Sequence, residues 1–298
     1  YPDNMVVGTL AGAGTLGLLI PPSIIMIVYG VTADVSIAKL FIAGILPGLM
    51  LACLFSGYII YRALRHPEQV PANDRQYTFM EKIRESGSLI PVVLLIASVL
   101  GSIYAGIATA TEAAAVGVVG AMVLSGVQGS LNWSSFKEAL MGATRLYCMI
   151  ALILAGASFL TLSMGYIGLP RHLAEWIATL GLSQFELILA LTVFYVILGC
   201  FLDGISMVVL TMGVIMPTVQ KAGIDPLWFG IFIVLVVEMA QITPPVGFNL
   251  FVLQGMTGKD LLWIAKATLP MFFLMVVAVL LIYFFPAIVT WMPQQMKL

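Results

Sequence analysis

The sequence predicts an all-α polytopic membrane protein with inverted repeats, each carrying a broken helix, and a re-entrant hairpin. Three observations carry this prediction. Hydrophobic residues make up 61% of the chain and charged residues 9%, with a mean hydropathy of +1.08, whereas about a quarter of the residues in a soluble domain are charged. Apolar runs of about 20 residues, the length that crosses roughly 30 Å of hydrocarbon as a helix, recur without the alternation of an outer-membrane barrel. Pro-Pro occurs twice, at Pro21-Pro22 and Pro244-Pro245, each time inside an apolar span.

Taken in order, residues 6–30 form an apolar span interrupted at Pro21 and Pro22. Residues 38–61 form a second span containing Pro47. The loop after it carries Arg62, Arg65, Arg75, Lys82 and Arg84, which places it on the cytoplasmic side by the positive-inside rule. Spans near 89–107 and 112–127 are joined by a tight link and read as a transmembrane hairpin. Ser134 and Ser135 suggest the start of a separate, capped interfacial helix before a fifth span near 146–164. Two short apolar arms, 185–200 and 205–219, flank Asp203-Gly204. A helix from Leu227 is expected to break near Thr243, because Pro244 and Pro245 lack donors and push the preceding residue out of helical geometry. A last span runs over 262–289 and contains Pro270.

The two Pro-Pro pairs are 223 positions apart, and so are Pro47 and Pro270. Tyr1-Pro2-Asp3 falls opposite Ile224-Asp225-Pro226 in the same register. Repeated broken helices mark secondary transporters, since freed backbone groups at membrane depth persist only where protein or a wet cavity covers them. A hairpin at 184–220 that enters and leaves on one side inverts the second repeat relative to the first. An acidic residue at mid-membrane is costly unless paired or ion-binding, and Asp203 at the hairpin midpoint favours this arrangement. The second copy has a hairpin before its break, so an upstream segment with the first hairpin is expected outside this sequence, by truncation or on another polypeptide.

The chemistry-bearing residues narrow the function. Cys53, Cys148 and Cys200 are odd in number, widely spaced and set in apolar sequence, which predicts packed thiols rather than a disulfide framework. His66 and His172 read as solvated loop residues without metal partners. Dispersed basic residues exclude a nucleic-acid surface. Glu112 reads as a residue at a helix start and Glu186 as a solvated interfacial one. Asp203 is both a helix N-cap and a candidate ligand for a hard cation, with Ser206 and Thr243 adding oxygen donors. In the first copy Gly14, Thr15 and Gly17 approach Pro21, Pro22 and Ser23 at the corresponding break. An intramembrane aspartyl protease would need a second carboxylate sharing the site of Asp203. A channel accounts less well for paired broken helices than alternating access does.

Four motifs spread along the chain carry a resemblance: Gly-Thr-Leu-Gly-Leu-Leu-Ile-Pro-Pro-Ser at 14–23, Ala-Thr-Glu-Ala-Ala-Ala at 110–115, Phe-Leu-Asp-Gly at 201–204 and Glu-Met-Ala-Gln-Ile-Thr-Pro-Pro-Val-Gly-Phe-Asn at 238–249. Together they resemble the large membrane subunit of tripartite ATP-independent periplasmic (TRAP) transporters. The resemblance implies an elevator-type transporter of the bacterial inner membrane rather than an enzyme. It would be driven by sodium as coupling ion and import organic acids of the C4-dicarboxylate or sialic acid type. Its implied partners are a small membrane subunit and a periplasmic substrate-binding protein; no cofactor is implied. By similarity, sodium ligands map to Asp203, Ser206 and Thr243, and to backbone oxygens around Gly17, Ile20 and Pro22; Ser23, Gly204 and Asn249 are candidate substrate contacts. The resulting division is a first broken helix at 1–30, a scaffold helix and basic loop at 31–88, scaffold helices at 89–183, the re-entrant hairpin at 184–221, a second broken helix at 222–261 and a scaffold helix at 262–298.

Overall fold

The computed structural model describes residues 1–70, 78–245 and 247–296, and among them the regular structure is helical throughout, with no strand. Five described helices are long and apolar enough to cross a membrane, and a pair bent by 43° at the first Pro-Pro break adds a sixth span by length and composition. Arg75 of the basic loop lies outside the described residues.

The first unit comprises Tyr1–Gln69 and Leu152–Gln295. It opens with α1 (Asp3–Leu19), α2 (Ile24–Ala33) and α3 (Ile37–Arg65). Ser23 caps α2 by accepting from the Met26 amide at 3.3 Å, and Pro47 lies inside α3, which continues past it. The second unit, Val70–Ala151 with Met296–Leu298, contains α4 (Phe79–Glu85), α5 (Ile90–Tyr104), α6 (Ala110–Val127) and the beginning of α7 (Trp133–Ile167). In it α5 and α6 form a close hairpin, with Gly117 facing Val99 and Gly120 facing Leu95. Thr109 and Glu112 make a reciprocal capping box at the start of α6, so Glu112 serves the helix end, as its position implied.

Later elements of the first unit are α8 (Leu169–Thr179), α9 (Gln184–Gly199), α10 (Gly204–Lys221), α11 (Pro226–Gln241), α12 (Phe248–Thr257), α13 (Leu261–Phe284) and α14 (Ala287–Gln294). The repeat appears in the element order: broken pair and Pro-containing helix as α1, α2, α3, and again as α11, α12, α13. Both Pro-Pro bonds are cis. At the centre lies α11, in which residues 228–240 are all buried. A helix apolar on every side belongs inside a bundle. Trp228 donates from Nε1 to the Ile282 carbonyl at 2.9 Å, and the Tyr29 hydroxyl donates to the Pro226 carbonyl at 2.6 Å. These bonds fix the N-terminal end of α11 against α13 and α2.

Several sequence expectations are corrected. No separate interfacial helix precedes the fifth span; α7 runs unbroken over 35 residues. Its start is organised by Asn132, whose Oδ1 accepts from the Ser135 amide while the Ser135 hydroxyl accepts from the Asn132 amide. With only Gly142 between the polar start and the apolar stretch, nothing breaks the helix there. His172 lies on α8 rather than in a loop, and His66 sits at the C-cap of α3 with Nδ1 3.1 Å from Glu68. The last span ends at Phe284, because Pro286 forces a new start for α14.

Candidate functional site

α9 and α10 form an antiparallel hairpin. At its base the Gln184 amide donates to the Ala222 carbonyl at 2.8 Å, and midway Tyr195 and Thr211 share a hydrogen bond of 2.8 Å. Its tip, residues 200–203, meets the end of α11. A methyl group added at Gly204 would lie 2.5 Å from Val237 Cγ1, 3.1 Å from Ile25 Cδ1 and 3.5 Å from Gln241 Nε2. Gly199 approaches Ala240 just as closely. The tip is therefore seated between the last turn of α11 and the first turn of α2. Glycine at both ends of the tip permits this approach.

Asp203 is the N-cap of α10. Its Oδ2 accepts from the amides of Ile205 at 3.0 Å and Ser206 at 3.2 Å, while Oδ1 accepts a short bond from the Ser206 hydroxyl. The carboxylate caps the second arm, as the N-cap reading of Asp203 expects, and the Ser206 hydroxyl donates to that carboxylate. Across the tip, the Thr243 hydroxyl donates to the Met239 carbonyl at 2.7 Å. Both hydroxyl protons are thus spent inside their own elements. A hydroxyl has one proton and two lone pairs, so Ser206 and Thr243 keep acceptor capacity of the kind a hard cation uses.

The break after α11 is joined to the hairpin by Cys200, whose single S–H is shared between the Pro244 carbonyl at 3.0 Å and the Val196 carbonyl at 3.2 Å. Sequence reasoning treated this cysteine as apolar filler. Its partner is a carbonyl released by the proline break, and that pairing depends on tertiary structure. Cys53 and Cys148 are exposed rather than packed in the core. At Gly247, whose φ is 36°, an added Cβ would lie 2.7 Å from the Thr243 carbonyl oxygen, and α12 begins immediately after it. Pro244 is half-buried and Pro245 exposed.

The residues of the first break are arranged differently. Pro21 is buried, while Gly17, Ile20 and Pro22 are exposed. Ser23 is buried and donates a short bond to the Leu18 carbonyl, so its proton is already committed. Asn249 on α12 approaches α1, its Nδ2 lying 3.7 Å from the Cβ position of Gly14. Hence the structure brings Asp203, Gly204 and Ser206 against the helix end that precedes Thr243. It places Asn249 beside α1 and engages Ser23 with its own backbone.

A cavity of about 640 Å³ lies between α2, α7 and α10, lined by residues including Thr32, Ala157, Thr161, Val209 and Gly213, and none of the candidate site residues borders it. Among the described residues no group of three or more His, Cys, Asp or Glu side chains is placed to hold a metal ion.

Comparison with known proteins adds an independent line. The family model described as tripartite ATP-independent periplasmic transporter, DctM component, matches residues 1–288. The C4-dicarboxylate TRAP transporter large permease protein DctM of Pseudomonas aeruginosa is 34% identical over 295 residues, covering 99% of this chain and 68% of the relative. The sialic acid TRAP transporter large permease protein SiaM of Vibrio cholerae is 28% identical, with 99% and 68% covered. The isethionate TRAP transporter permease protein DctMQ of Oleidesulfovibrio alaskensis is 32% identical, with 94% of this chain and 44% of the relative covered.

Proposed function

Because this chain belongs to the tripartite ATP-independent periplasmic transporter family as a DctM component, we propose that it imports a small organic acid coupled to sodium, with the hairpin tip and the second helix break forming a sodium cradle. It is a multi-pass protein of the bacterial inner membrane and a transporter component rather than an enzyme. The observation that carries the proposal is the orientation of the two hydroxyls. Ser206 directs its proton to Asp203 and Thr243 directs its own to the Met239 carbonyl, so both hydroxyls retain lone pairs, that of Ser206 next to the carboxylate.

Sodium would draw on Asp203, Ser206 and Thr243, and at the first break on backbone oxygens around Gly17, Ile20 and Pro22. By neutralising Asp203 it would fasten the tip to the break and give a charge-compensated body able to cross the membrane in an elevator motion. The acid would bind near Ser23, Gly204 and Asn249, with its charge favoured by the N-terminal ends of α2 and α10. Ser23 must then exchange its Leu18 bond for the substrate. The relatives named for C4-dicarboxylate and sialic acid transport support an organic acid as cargo. A small membrane subunit and a periplasmic binding protein complete the assembly in this reading.

Asp203→Asn is the discriminating variant. Asparagine caps a helix about as well as aspartate, so the fold of α10 should survive, while the carboxylate charge is lost. Uptake by the assembled transporter in vesicles should lose its sodium dependence. Wild-type sodium dependence in this variant would exclude Asp203 as a ligand.

A further inference from the structure

The most isolated polar group among the described residues is Glu238, one turn before the second break. It is 0% exposed, and neither carboxylate oxygen has a hydrogen-bond partner among the described residues. It lies against α1, beside the Thr15 hydroxyl and the Leu19 backbone amide, without hydrogen-bond geometry to either. The sodium reading makes no use of it.

Three features decide its state. First, no cation faces it from the helices packed on α11: Lys39, Lys221 and Lys266 are exposed at helix ends, and the ion pairs among the described residues do not include it. Arg62 and Arg65 lie on α3 well beyond Gly44, the residue that meets Leu19; the 18 positions from Gly44 put Arg62 about 27 Å further along the helix. Second, the buried tyrosine hydroxyls of the neighbouring helices are engaged elsewhere, Tyr29 with Pro226 and Tyr195 with Thr211. Third, the Thr15 hydroxyl donates to the Gly12 carbonyl at 2.8 Å, and Leu19 belongs to the ladder of α1. The neighbouring hydroxyl therefore offers lone pairs, and an ionised carboxylate also offers only lone pairs. The two match only if the carboxyl brings a proton. An isolated buried charge is among the most expensive groups a protein can hold and normally neutralises instead.

We propose that Glu238 is held as a neutral carboxyl that donates a hydrogen bond to Thr15, pinning the last turn of α1 to the last turn of α11 and thereby setting the spacing of the two helix breaks. Glu238 is a positioning residue in this arrangement and not an ion ligand. Its proton is resident and is not exchanged during transport. The assignment of the proton is independent of the sodium reading; only the consequence for uptake rests on it.

The test pairs Glu238→Gln, which imitates the neutral carboxyl, with Glu238→Leu, which fills the space without a donor, both in the assembled transporter. Infrared spectroscopy of the wild type should show a protonated-carboxyl band that is missing in E238Q. E238Q should keep sodium-dependent uptake, with half-saturating sodium within about twofold of the wild type, whereas E238L should raise it about tenfold or more, since roughly 1.4 kcal/mol corresponds to a factor of ten. An unchanged infrared band in E238Q overturns the proposal. So does an E238Q protein that fails to fold or loses uptake, because the charge itself would then be required. E238L transport identical to wild type overturns the positioning role. If the band is present but wild-type uptake ignores sodium, the proton assignment stands and the sodium cradle is what fails.

Discussion

Gly204→Ala is the sharpest probe of the contact between the hairpin tip and α11. The new methyl would lie 2.5 Å from Val237 Cγ1 and 3.1 Å from Ile25 Cδ1, against about 3.5–4.0 Å for carbon atoms at optimal separation. Tip and α11 must then part by about 1–1.5 Å, more than the roughly 0.5 Å tolerance within which a binding constellation works. Overpacking of this kind costs about 1–3 kcal/mol, and the displacement carries Asp203 and Ser206 away from Thr243. The expected result is lower thermal stability and a rise of about tenfold or more in half-saturating sodium. Val237→Ala removes the obstructing methyl groups and alone destabilises by leaving a void beside a fully buried site. Combined with G204A it should recover stability, so that the double variant is more stable than the sum of the single effects by about 1–2 kcal/mol. Additive effects, or a G204A protein with wild-type stability and sodium response, would refute the close seating of the tip.

Other expectations concern the frame around the site. Trp228→Phe deletes the bond to the Ile282 carbonyl and should lower stability by about 1 kcal/mol in chemical unfolding, with sodium dependence unchanged. Thr109→Ala removes one half of the α6 capping box, which should cost about 0.5–2 kcal/mol. Hydrogen exchange should show that loss at the start of α6 and leave the hairpin tip unaffected. Gly8→Ala should be more damaging than Gly117→Ala, because the Gly8 methyl would strike the Ala267 backbone carbonyl, whereas the one at Gly117 would meet Val99 Cγ2 at 3.4 Å. Comparing the thermal stability of the two variants checks that order.

Legibility from sequence followed the reach of each signal. Pro-Pro acts on its own backbone, so both breaks were visible, and so was the tip at Asp203-Gly204, where an acidic cap and a glycine interrupt apolar sequence. The equal spacing of Pro47 and Pro270 from those breaks exposed the repeat. Local signals were also misread: Ser134-Ser135 suggested a helix of its own, although Asn132 and Ser135 merely start α7, and Pro286 was overlooked inside an apolar stretch. What could not be read was contact between distant residues. Nothing near Cys200 announces a bond to the Pro244 carbonyl, and nothing near Gly199 announces Ala240. Glu238 could be seen as an acid before a break, but its isolation depends on Thr15, more than 200 residues away, already bonding to Gly12.

Sodium-dependent thermal stabilisation tests the cradle most directly, because it requires neither substrate nor partner proteins. A ligand that binds only the folded state stabilises by about 2.7 kcal/mol at one hundred times its dissociation constant. The wild type should therefore gain stability with sodium, reach that scale at saturating concentrations, and show no gain with choline at equal ionic strength. Asp203→Asn should fold and show a clearly smaller sodium increment, only that of the first break remaining. An equal sodium-specific increment in the variant, or an equal gain with choline in the wild type, would contradict a sodium site built on Asp203.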